Sequence, residues 1–119
     1  MDATFAGANR RRSSRLPLSV PVFVTGKSTI VNVHSRCDTL DISHTGARLR
    51  SKRLLPFGAS IRLDVLGGSG IAMGKVVRVM PVRGSYVIGV QFDQPANIWN
   101  IKNPPNDWPR PTTLRLRDS

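Results

Sequence analysis

The stretch IAMGKVVRVMPVRGSYVIGVQF, residues 71–92, decides the fold. Its second half sets Tyr86, Ile88, Val90 and Phe92 at alternate positions, the period of a strand that buries one face. Its first half, Ile71 to Val82, is rich in β-branched residues, and Pro81 followed by Arg83 and Gly84 marks a turn between the halves. Working outward, Ile61, Leu63 and Val65 alternate with Arg62 and Asp64 between a turn at Pro56 and Gly58 and the GGSG turn of residues 67–70. Ala47 and Leu49 alternate with Arg48 and Arg50 behind Gly46, and residues 30–42 form an extended region ending in Leu40 and Ile42. A turn over residues 43–46 joins these two. Residues 16–25 alternate again, with Leu16, Leu18, Val20, Val22 and Val24 on one parity. Pro17 and Pro21 suggest that this first strand lies at an edge or carries a bulge, and Gly26 suggests the turn after it.

About six strands joined by short turns predict an all-β chain folded as a small six-stranded antiparallel barrel. The expected interior is Val20, Val22, Val24, Ile42, Leu63, Ile88, Val90 and Phe92. Residues 94–108 change character, being rich in asparagine and proline. They read as a short C-terminal helix or turn near Ile98 and Ile101, then a loop whose Trp99 and Trp108 pack on the barrel. Residues 1–9 read as a disordered N-terminal arm, 10–108 as the folded domain and 109–119 as a basic tail.

Composition agrees with this reading. A chain of 119 residues, 39% of them apolar, has room for one core. Lysine and arginine number 18 against 7 acids, all aspartates, for a net charge of +11. The absence of glutamate and the ten glycines and nine prolines speak against a helical bundle. No apolar run reaches the ~20 residues that span a bilayer, and the N-terminus lacks the pattern of a secretory leader, so the expectation is a cytoplasmic protein without membrane insertion. Cys37 alone permits no internal disulfide, and with His34 and His44 it makes no metal-ligand set, so no metal or cofactor is expected. Nor is an enzyme expected, because no nucleophile, base and orienting group stand at recognisable spacing. The charge points to an anionic partner, whether nucleic acid, nucleotide, phospholipid or acidic protein.

Two short patterns narrow that choice. Arg11 and Arg15 bracket RRSSR at the entrance to the first strand, and Asp41, Ser43 and Gly46 bracket DISHTG in the turn after the second. Read alone, the arginine cluster is more often a solvated basic tail or a nonspecific nucleic-acid contact than a nucleotide clamp, and Asp41 and Ser43 are more often a structural turn. His44 reads as a surface side chain and Cys37 as a small strand residue.

Taken in order, R-x-x-x-R and D-x-S-x-x-G resemble the PilZ domain, a bacterial receptor for cyclic di-GMP, and the likeness continues through GARL, PFGASIRLDV, KVVRV and VIGVQF to cover roughly residues 10–93. The resemblance implies a PilZ-like barrel that binds cyclic di-GMP through Arg11, Arg15, Asp41, Ser43 and Gly46 and signals to an effector protein. It implies further that Arg10, just ahead of the motif, accompanies binding of two stacked ligands. The chemistry suits such a ligand. A guanidinium donates two parallel hydrogen bonds to guanine O6 and N7, clamps a phosphate or stacks on a purine, and a carboxylate accepts from guanine N1 and N2. The rival expectations are a basic barrel binding nucleic acid nonspecifically and a PilZ-like adaptor that has lost its ligand.

Overall fold

A computed structural model describes residues 14–27 and 32–108. The arm 1–9, Arg10, Arg11 and the tail 109–119 lie outside the described residues. Six strands follow in chain order: β1 (Pro21–Lys27), β2 (Asn32–Ile42), β3 (Gly46–Ser51), β4 (Ser60–Val65), β5 (Ile71–Val82) and β6 (Ser85–Phe92). Neighbours pair antiparallel in the order β1-β2-β3-β6-β5-β4 and the sheet closes into a barrel. Closure leaves β1 paired with both β2 and β4, so it is no edge strand. Pro21 stands instead at the first position of the strand, where a missing N–H disrupts no ladder interior.

The alternation puts the core where periodicity requires. Val22, Val24, Ile42, Leu63, Ile88, Val90 and Phe92 are all buried, and Val20 packs against them partly covered. Burial pushes the Cys37 thiol above its ordinary value, with hydrogen bonds to Ser51 and Ser35 only partly opposing, so this cysteine stays a neutral core residue. Two local readings need correction. The first strand begins at Pro21 rather than near residue 16. The segment ahead of it runs extended along β2, held by the Thr39 hydroxyl, which accepts from Val20 N–H at 2.7 Å and donates to Leu18 C=O at 2.6 Å. Gly26 lies inside β1, not in a turn. Among the described residues there is no helix, and the chain near Ile98 makes a turn in which Asn100 takes φ 59°, a left-handed conformation that interrupts helical winding. Nor, among the described residues, is there a helix long and apolar enough to cross a membrane.

Two bulges break the alternation, and both matter for the surface. Thr39 pairs with Leu49 and Asp41 with Arg48, so Leu40 is an extra residue on β2. Val76 pairs with Val90 and Arg78 with Gly89, so Val77 is an extra residue on β5. Strict period two would point Asp41 inward with Cys37 and Thr39, and Arg78 inward with Val76. One extra residue reverses the parity, so both charged side chains emerge on the outer face.

Candidate functional site

The site begins with two backbone hydrogen bonds. Leu16 N–H donates to Ile42 C=O at 2.8 Å, and Ile42 N–H donates to Leu16 C=O at 2.9 Å. This small bridge sets the neighbours of both residues side by side. Arg15 Nη1 then reaches Asp41 Oδ1 at 2.7 Å, joining two motifs 26 residues apart. Asp41 Oδ2 accepts from Arg48 Nε at 2.6 Å, directly across the β2–β3 pair. The carboxylate is largely buried, while both guanidiniums remain about half exposed, at 44% and 50% of their side-chain surface. One charge therefore organises two, and each guanidinium keeps donors free for a further anion.

Beside this triad lies an open hollow of about 450 Å³. Its floor is the outer face of β3, β6 and β5, and its described lining holds three arginines, Arg15, Arg48 and Arg78, and no acid. Arg48 pairs with Gly89 and Gly89 with Arg78, so the three form one row across the strands. With strands about 4.8 Å apart, the two arginine stems rise roughly 10 Å from each other over a bare glycine. A side chain on Gly89 would intrude between them, its Cβ 3.1 Å from Arg78 Cβ.

Of the expected site residues, the structure joins Arg15 and Asp41 and brings Gly46 to the rim of the hollow. Ser43 is turned elsewhere. Its side chain is 1% exposed, Oγ accepts from Thr45 N–H at 3.1 Å, and it donates to Gly46 C=O at 3.4 Å. The hydroxyl thus closes its own turn. Gly46 has a reason other than making room for a ligand. A Cβ there would stand 2.1 Å from the carbonyl oxygen of Val90, so the approach of β6 to β3 demands glycine. His44 is also not on the surface. It is buried between Ser43 and Thr45, its ring 6.1 Å from that of Trp108, and Nδ1 has no hydrogen-bond partner among the described residues.

Arg48, Arg78 and Gly89 went unread in the sequence. The alternation of Arg48 and Arg50 with Ala47 and Leu49 already signalled an outward arginine, but which residue faced it depended on strand pairing. Arg78 gave no such signal, because the bulge at Val77 sets its direction.

Residues 94–108 lie behind the motifs as a strap. Ala96 N–H donates to His44 C=O at 2.8 Å, and Trp99 Nε1 donates to Ser43 C=O at 2.8 Å. Trp108 Nε1 donates to Ser14 C=O at 3.0 Å, and Ser14 N–H donates to Asp107 Oδ2 at 2.6 Å. Both tryptophan rings are buried.

Three comparisons bear on these observations. A family model described as the PilZ domain matches residues 9–98. No curated protein matches the chain. Among solved structures, the crystal structure of the PilZ domain of CeSA from a cellulose-synthesizing bacterium aligns with a TM-score of 0.49 and 20% identity, covering 69% of this chain and 84% of that one.

Proposed function

The chain belongs to the PilZ domain family, and on that premise we propose that it is a cytoplasmic, non-catalytic receptor that binds cyclic di-GMP in the arginine-lined hollow and signals to an effector protein. The observation that carries this reading is the Arg15–Asp41 ion pair at the edge of that hollow, which links the R-x-x-x-R and D-x-S-x-x-G patterns. Three guanidiniums, Arg15, Arg48 and Arg78, against the one carboxylate of Asp41 leave two uncompensated positive charges. Cyclic di-GMP carries two phosphodiester anions. Asp41 lies just outside the lining, and each of its oxygens keeps a lone pair beyond its guanidinium for the N1 and N2 donors of a guanine edge that reaches the rim. Arg11 and Arg10 complete the clamp from the N-terminal side, Arg10 by stacking on and neutralising a second ligand molecule. Ser43 and Gly46 serve the site by shaping the turn beneath it.

Calorimetric titration tests the reading, using cyclic di-GMP, GMP and single-stranded DNA at two salt concentrations. The receptor reading expects saturable binding of cyclic di-GMP, two molecules per chain, with GMP much weaker. Binding that prefers DNA and collapses steeply with salt would instead support a nonspecific nucleic-acid barrel. A one-to-one ratio would remove the role given to Arg10 while leaving the receptor reading standing.

A further inference from the structure

Ser14 is held by both of its backbone polar groups from one short piece of chain. Asp107 accepts its N–H at 2.6 Å and Trp108 donates to its C=O at 3.0 Å. These two residues lie beyond residue 98, where the family match ends. Ser14 directly precedes Arg15, whose guanidinium holds Asp41 at 2.7 Å. The strap that carries the clamp is itself fastened to the other motif. Trp99 Nε1 bonds Ser43 C=O, Ala96 N–H bonds His44 C=O, and the Trp108 ring packs beside His44.

The geometry points to Asp107 and Trp108 as positioning residues that hold Arg15 against Asp41. Leu16 secures the chain on the far side of Arg15 through its bridge to Ile42. Without a hold at Ser14, Arg15 is tethered on one side only and its side chain samples many orientations. With both sides fixed, the guanidinium is set before any ligand arrives, and the ordering entropy no longer opposes binding. The consequence for ligand rests on the receptor reading above; the hold on Ser14 does not.

The test uses the full chain with Asp107→Ala, Asp107→Asn and Trp108→Phe. The asparagine variant keeps an acceptor for Ser14 N–H, and the phenylalanine variant keeps a ring while losing the indole donor. Amide hydrogen exchange without ligand should show Ser14 protected in the parent and in Asp107→Asn. Exchange there should be about tenfold faster in Asp107→Ala, with core amides such as Leu49 and Ile88 unchanged. Titration with cyclic di-GMP should then show about tenfold weaker binding for Asp107→Ala and Trp108→Phe, and near-parental binding for Asp107→Asn. Equal Ser14 exchange in the parent and Asp107→Ala overturns the clamp, as does parental ligand affinity in both weakened variants. A parent that ignores cyclic di-GMP yet shows the expected exchange pattern overturns the receptor reading and leaves the clamp in place.

Discussion

Two aspartates on the outer surface of the barrel each bind arginine, and they do it in opposite ways. Asp64 on β4 receives both contacts from Arg62, two residues away on the same strand, at 2.9 and 3.1 Å. Asp41 on β2 receives one contact from Arg48 across the sheet and one from Arg15, which is 26 residues away. The Arg62 guanidinium is exposed, and the pair with Asp64 needs only an extended backbone to form. The Asp41 triad exists only after β2, β3 and the segment before β1 have assembled. A locally satisfied ion pair on a wet surface says little about function. A carboxylate withdrawn from water and shared between distant cations has been built at the expense of desolvation, and its surroundings must compensate. The hollow opens beside Asp41, on the β3, β6 and β5 face.

The sharpest way to break the contrast is through the backbone beneath it. Gly46→Ala would drive a Cβ to 2.1 Å from the Val90 carbonyl oxygen, against backbone atoms of β6 and with no flexible side chain to yield. The expected loss exceeds about 3 kcal/mol, a large share of the ~5–15 kcal/mol that holds a domain of this size together. Urea denaturation would show it as a collapsed midpoint or as failure to obtain folded protein. A variant that unfolds like the parent would mean that β3 and β6 do not approach as described.

Asp41→Ala tests the site itself. Its arginine partners are half exposed and regain water, so the barrel should persist by circular dichroism. Affinity for cyclic di-GMP should fall about 5- to 150-fold, the range of ~1 to 3 kcal/mol for one good contact to a guanine edge. Unchanged titration would dismiss Asp41 as a ligand residue. Gly89→Leu approaches from the floor, where a side chain occupies the gap between Arg48 and Arg78. Its nearest obstruction is Arg78 Cβ, 3.1 Å from the added Cβ, a contact that β5 relieves by moving a few tenths of an ångström. We expect about tenfold weaker binding with the barrel retained, since the obstruction falls on the outer face and leaves the core intact.

These variants also mark how far the sequence could be read. Alternation at residues 20–24, 61–65 and 86–92 was enough for the barrel and its interior, because each strand there keeps strict period two and one buried face. It failed where period two fails. Asp41 is legible through its motif and as the neighbour of the inward Ile42, but the bulge at Leu40 that lets Thr39 and Ile42 both face the interior leaves no mark in the pattern. Arg78 had no motif and stayed invisible, since a single unpaired residue, Val77, turned it outward. Pairing across strands is likewise absent from local pattern, so nothing marked Gly89 as the bare position between two arginines. The clamp on Ser14 joins residues 93 and 94 apart and has no local signature at all.

The smallest expected effect completes the comparison. Asp64→Ala removes both contacts to Arg62, leaving a guanidinium that water solvates fully. Nearby on the outer face, Asp64 pairs with Phe23 and Ile71 in the register, so no second charge loses a partner. Hydrogen bonding to Asp64 raises the Arg62 pKa, yet arginine is charged on either side of that change at every ordinary pH, and no pH-dependent stability follows. The variant should melt within error of the parent at low and high salt and bind cyclic di-GMP unchanged. A salt-sensitive loss of stability would show that the Arg62–Asp64 pair contributes structurally. A change in ligand affinity would carry the site around the barrel to β4, and Asp41 would no longer be the carboxylate that sets it apart.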